Sequence, residues 1–176
     1  MKEEFGTQLE NGSLRFVRDL PGPIDRVWEY LVDPEKRALW FCGGETGAKP
    51  GDSFVMKFDH EGLTDEPVPD SHAGLRGGAE MGAKVITLDP PNLFVFRWDN
   101  DGKETQIELN EADGRVRLVL IQTPPAELAQ VQGMASGWQA HLGLLIDHLA
   151  GDAPRGFWSE HEEAMRHYRE AVTAGA

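Results

Sequence analysis

Two histidines, His141 and His148, lie seven residues apart in the segment GWQAHLGLLIDHLAG (137–151). An imidazole can act as a general acid or base near neutral pH when a neighbouring group tunes its pKa. No Ser/His/Asp or Cys/His arrangement that could supply such a partner is visible in the sequence. His141 follows Trp138 by about one helical turn, at the edge of an apolar stripe, whereas His148 lies further round. We therefore predict no catalytic residue. His141 is either a boundary histidine hydrogen-bonded to backbone or water, or a polar contact at the edge of a cavity.

Histidines and carboxylates also occur together in DHEG (59–62), DSH (70–72) and HEEAMRH (161–167). None of these segments has the ligand spacing of a zinc or calcium site. The last one departs from the HExxH template because its histidines are six residues apart. We predict no metal site and no cofactor.

Apolar side chains recur at helical spacing through residues 125–150 and at alternating positions in several strand-like segments. These side chains form a packed core, line a ligand cavity between helix and sheet, or do both. An empty void of roughly 300 Å³ costs about 7 kcal/mol, so side chains must fill most of that space, or a ligand or waters must occupy it. The candidate ligand-binding residues are Trp138, His141, Leu142, Leu145, Phe54, Met56, Phe94, Phe96, Trp98 and Trp28.

The elements that would position these residues follow a segregated order typical of an α+β domain. Short turns between the strands favour antiparallel pairing. In the first strand we assign Leu14 and Phe16 to the buried face and Arg15 and Arg18 to the opposite face. The predicted strands cover 13–20, 53–58, 83–88, 93–99, 104–110 and 115–122, and the predicted helices cover 24–33, 34–41, 125–150 and 157–173.

Three segments are expected: an N-terminal arm (1–12), the main domain (13–151) and a C-terminal helical extension (152–176). The extension repeats aromatic and apolar residues on one face, which should be covered by the domain itself or by a second copy in a homodimer. A long acidic loop (59–80) interrupts the predicted sheet.

The amino-acid composition restricts the classes of partner that the protein could bind. The formal net charge of −13 disfavours nucleic acid and anionic membrane surfaces, which would be repelled. A single cysteine, Cys42, suits a reducing compartment, and no apolar run is long enough to span a membrane. We expect a cytoplasmic protein with an apolar or amphipathic small-molecule partner.

Four stretches in order carry a family resemblance: RFVRDLPGPIDRVWEYLVDPEKRALWF, KPGDSFVMKF, GAKVITLDPPNLFVFRWD and GWQAHLGLLIDHL. Together they resemble the START-like (SRPBCC) helix-grip superfamily, and within it the homologues of the heat-shock-protein-90 ATPase activator. The resemblance implies a curved antiparallel sheet around one long C-terminal helix, with two short helices after the first strand and a cavity between sheet and helix.

The superfamily includes lipid carriers, polyketide cyclases and co-chaperones, so fold alone does not settle function. Non-enzymatic binding of a small molecule is our first hypothesis. A cyclase-like enzyme with His141 as acid or base, and a module that binds a chaperone, are the alternatives. The chain departs from the usual family pattern at IQTPPAEL (121–128) and in the 59–80 loop, where a cavity mouth is expected.

Overall fold

The computed structural model describes residues 3–173, which form a seven-stranded antiparallel sheet and four α-helices. The spatial order of the strands is β1-β2-β7-β6-β5-β4-β3. The α+β helix-grip architecture expected from the sequence is confirmed. The strands are β1 (Thr7–Gln8), β2 (Leu14–Pro21), β3 (Ser53–Phe58), β4 (Ala79–Asp89), β5 (Leu93–Trp98), β6 (Glu104–Ala112) and β7 (Arg115–Gln122), and the helices are α1 (Ile24–Val32), α2 (Pro34–Ala38), α3 (Leu128–Ala150) and α4 (Phe157–Ala171).

Local sequence explains how the central strands pair. Asp113 and Gly114, between β6 and β7, both have positive φ angles, of 54° and 73°. Two such residues form the tight turn whose twist matches that of an antiparallel hairpin. The turn fixes the β6–β7 register, in which Leu109 lies opposite Leu118, and both side chains are buried.

The loop between α2 and β3 is held by a buried arginine. Asp33 caps α2 by accepting hydrogen bonds from the backbone N–H groups of Glu35 and Lys36. Arg37, near the end of α2, donates to the backbone carbonyl of Cys42 at 2.9 Å and to that of Gly43 at 3.2 Å. These contacts fix the segment that carries Trp40 and Phe41 toward α3.

Helix α3 is buried on both sides. Its Leu142 and Leu145 side chains pack into the core, as expected from their helical spacing. The opposite face, which includes Gln139 and Asp147, is also buried, because α4 packs against α3 rather than against the sheet. The helix begins at Leu128, after two consecutive prolines, and ends at Ala150, which is followed by the C-cap Gly151 in the left-handed conformation.

The expectation that Arg18 lies on the outer face of the first strand is wrong. Residues of the same parity share one face of a strand, so Arg18 lies on the inner face with Leu14 and Phe16. Its side chain is buried and donates to Oε1 of Gln139 at 3.0 Å. The inward position is possible because α3 supplies a polar partner there.

The N-terminal residues contact the main sheet and α4. Strand β1 pairs with β2, and the ring of Phe5 stacks on that of His167 with 3.9 Å between centroids. The proposed segment boundaries at residues 12 and 151 stay predictions. Among residues 3–173, no helix is both long and apolar enough to cross a membrane.

Candidate functional site

A cavity of about 210 Å³ lies between the sheet and α3, toward the end of the sheet that carries β3 and β4. Its half-buried rim includes Leu75 and Ala79 on one side and Met134 and Gly137 of α3 on the other, where the cavity meets solvent. Among residues 3–173, no Asp, Glu, Lys or Arg lines it. The lining residues are Phe41, Phe58, His60, Leu75, Ala79, Met81, Trp98, Met134, Gly137, Trp138 and His141.

Two tryptophans in the cavity wall are held by a chain of hydrogen bonds. The indole N–H of Trp98 donates to Oγ1 of Thr105 at 2.9 Å, and that of Trp138 donates to Oε1 of Gln122 at 3.1 Å. The Thr105 hydroxyl in turn donates to the same Gln122 oxygen. Thr105 and Gln122 are fully buried. Because each N–H is satisfied, both indole rings keep one orientation and present apolar surface to the cavity.

His141 is fixed by the segment that follows α2. Its Nδ1 lies 2.7 Å from the backbone oxygen of Trp40, so Nδ1–H donates to that carbonyl. The ring is 6% exposed, and burial lowers its pKa to about 3. His141 is therefore a neutral imidazole at pH 7, with its hydrogen-bonding tautomer set by the backbone.

His60 forms the other polar part of the wall. It follows β3 and packs between the rings of Phe58, at 5.9 Å, and His141, at 5.6 Å. From α4, Phe157 and Trp158 close its far side, with centroids at 5.4 and 5.8 Å. Burial lowers the pKa of His60 as well. The inner end of the cavity thus contains two neutral imidazoles among aromatic rings.

The structure brings three of the ten candidate ligand-binding residues to the cavity, namely Trp98, Trp138 and His141. The other seven lie in the packed core. Phe54, Met56, Phe94 and Phe96 surround a space of about 10 Å³, too small for anything but a single water. Leu142, Leu145 and Trp28 are buried among other apolar side chains. They are not at the cavity because aromatic rings from β3, β5 and α1 fill that part of the sheet.

Most of the residues that line the cavity are not among the candidates predicted from the sequence. Phe41 follows α2, His60 and Leu75 come from the acidic loop, and Met134 and Gly137 lie on α3 beside the predicted stripe. The α3 residues had a usable signal, since their spacing places them one turn before Trp138 and next to it, and so did Phe58, which alternates with Phe54 and Met56 in the predicted strand 53–58. The loop residues have no periodicity from which their position could be inferred.

Metal binding and cysteine reactivity are the two other kinds of chemistry considered for residues 3–173. In residues 3–173, no group of three His, Cys, Asp or Glu side chains is arranged to hold a metal ion. Cys42 is buried, and desolvation raises the pKa of its thiol to about 11, so it is a poor nucleophile.

Comparison with known proteins places the chain in a family. The family described as Activator of Hsp90 ATPase homolog 1-like protein matches residues 21–150. The solution structure of the protein encoded by gene BPP1335 of Bordetella parapertussis is 37% identical, with a TM-score of 0.84, and the match covers 97% of this chain and 91% of that one. None of the curated proteins compared by sequence matches.

Two further structures share the fold at lower identity. CalU16 from Micromonospora echinospora is 16% identical with a TM-score of 0.68, and the match covers 97% of this chain and 96% of that one. DynU16, from the dynemicin biosynthetic locus, is 21% identical with a TM-score of 0.60, over 81% of this chain and 48% of that one. From the family match and the Bordetella relative together, the chain belongs to the family of Activator of Hsp90 ATPase homolog 1-like proteins.

Proposed function

We propose that the protein binds a small, predominantly apolar molecule in the cavity between the sheet and α3. The observation that carries the proposal is an uncharged cavity of about 210 Å³ whose two tryptophans are held in place by buried hydrogen bonds. A wall fixed before binding loses little side-chain entropy when a ligand enters, which favours affinity.

The volume limits the size of the ligand. Typical binding pockets for drug-sized ligands measure roughly 300–1,000 Å³, whereas an apolar cavity of about 150 Å³ accommodates benzene. A volume of about 210 Å³ therefore suits one or two fused rings or an equivalent aliphatic group. A long lipid chain would have to extend through the rim into solvent.

The wall offers little support for catalysis. His141 has its Nδ1–H committed to the Trp40 carbonyl, and its pKa is far below neutrality. A general base works best with a pKa near the working pH. Binding without chemical conversion is therefore the function that this arrangement supports best.

The methionines provide a test. With ¹³C-labelled methionine methyl groups, toluene should shift the NMR signals of Met81 and Met134, which line the cavity. Met56, in the packed core, and Met165, on α4, are internal controls and should change little. A toluene titration that moves no cavity methyl, or moves all four equally, would contradict the proposal and would leave chaperone association, which the family name suggests, as the alternative to pursue.

A further inference from the structure

Among the polar side chains of the cavity wall, His60 makes no hydrogen bond within residues 3–173 through either ring nitrogen. Of the eleven lining residues, four carry nitrogen in the side chain. The N–H groups of Trp98, Trp138 and His141 each donate within the protein, which leaves His141 only its Nε2 as an acceptor. His60 is 8% exposed, and its Nδ1 is buried without a hydrogen-bond partner anywhere in residues 3–173.

An unpartnered nitrogen in a buried ring is unusual, because buried polar atoms almost always find a partner. The ring of His60 is held by packing alone, between Phe58, His141, Phe157 and Trp158. A neutral imidazole offers one donor and one acceptor. Because Nδ1 of His60 is itself buried, Nε2 is the ring nitrogen that a ligand can reach, and a ligand group that both donates and accepts can pair with it in either tautomer.

The lack of charge in the cavity wall restricts which polar group of a ligand could lie beside His60. No ionised side chain of the described residues lines the cavity, so a carboxylate or an ammonium group would enter it without a counter-charge. His60 cannot readily supply one, because burial lowers its pKa and disfavours the protonated ring. A neutral hydroxyl group avoids this penalty and can hydrogen-bond to the imidazole.

We propose that His60 is the polar anchor of the cavity and that the ligand is a neutral hydroxylated aromatic compound of one or two rings. The ring occupies the space beside Trp98 and Trp138, and the hydroxyl group lies at the His60 end. This inference rests on the proposed function, because it needs the cavity to be a binding site.

Phenol and toluene test the inference, since they have nearly the same shape and differ in a hydroxyl against a methyl group. Both dissociation constants are measured from the Met81 and Met134 methyl shifts, in the wild type and in His60→Phe. The preference for phenol, expressed as the ratio of the two constants, should fall about tenfold in His60→Phe, as expected for the loss of one good hydrogen bond. His72→Phe is the matched control, because His72 packs against Trp158 and His161 without lining the cavity, and it should leave the ratio unchanged.

A second measurement uses the wild-type protein and does not depend on how the variant folds. The ¹⁵N chemical shifts of the His60 ring should move with phenol and stay in place with toluene. The inference is overturned if both compounds bind, the ratio of their dissociation constants is the same in His60→Phe as in the wild type, and the ring shifts respond alike to both compounds. The proposed function stands in that case. If neither compound binds, the proposed function itself fails.

Discussion

Gly137 gives the sharpest test of the cavity, because it occupies the middle of α3 and lines the wall. Glycine inside a helix is about 1 kcal/mol less favourable than alanine, so glycine at position 137 lowers the stability of α3. A Cβ atom at Gly137 would meet no atom within 4 Å apart from its chain neighbours and the backbone of its own helix. Gly137→Leu should therefore fill part of the cavity without a clash.

The expected gain has two parts. The helix propensity of leucine contributes somewhat less than 1 kcal/mol relative to glycine. Burying a leucine side chain fully contributes about 1.5–3 kcal/mol, and a half-buried rim position should give a fraction of that. The free energy of unfolding should rise by about 2 kcal/mol, which for a chain of this size corresponds to a Tm increase of about 4–8 °C.

Gly133→Leu is the matched control, because Gly133 also lies in α3 with no atom within 4 Å of an added Cβ, yet it does not line the cavity. Thermal unfolding and toluene titration are measured for both variants. Both should be at least as stable as the wild type, and only Gly137→Leu should lose toluene binding. A destabilised Gly137→Leu, or one that binds toluene normally, would refute the assignment of this space as an open binding cavity.

Three further predictions concern the buried polar groups around the cavity and α3. Gln122→Leu leaves the indole N–H of Trp138 without its acceptor and should lower the free energy of unfolding by about 1–3 kcal/mol, measured by urea denaturation. Since burial lowers the pKa of His141 to about 3, the unfolded chain binds that proton first as pH falls below about 6.5. This residue alone should lower the free energy of unfolding by about 2 kcal/mol between pH 7 and pH 5, and urea denaturation of His141→Gln should show a loss smaller by about that amount. Tyr168→Phe removes the hydroxyl that accepts from the backbone N–H of Gly6 at 2.7 Å and should cost about 1–2 kcal/mol, whereas unchanged denaturation curves would show that the contact adds nothing.

The fold could be predicted because its signals are local and repetitive. Strand alternation and short turns such as Asp113–Gly114 specify antiparallel pairing, and the apolar spacing in α3 specifies a buried helix. Arg18 shows the limit of this reasoning, because a charged side chain was assigned outward against its own parity. The partner that allows it inside, Gln139, lies 121 residues away in the sequence.

The site could be predicted only in part. The spacing of apolar residues predicts that α3 faces the sheet, and it predicts Trp98, Trp138 and His141 as residues between the two. Which part of the interface stays open depends on how side-chain volumes fit together, and Phe54 and Phe96 close one end while Gly137 leaves the other unfilled. His60 comes from a loop, so only the three-dimensional structure brings it beside His141.

A crystal structure determined under xenon pressure tests the central claim most directly, because xenon enters apolar cavities without needing a specific hydrogen bond. The account predicts xenon density between Met81, Met134 and Trp138, in the wild type and in Gly133→Leu, and its loss in Gly137→Leu. Absence of xenon from this position in the wild type, or persistence of the same density in Gly137→Leu, would contradict the account.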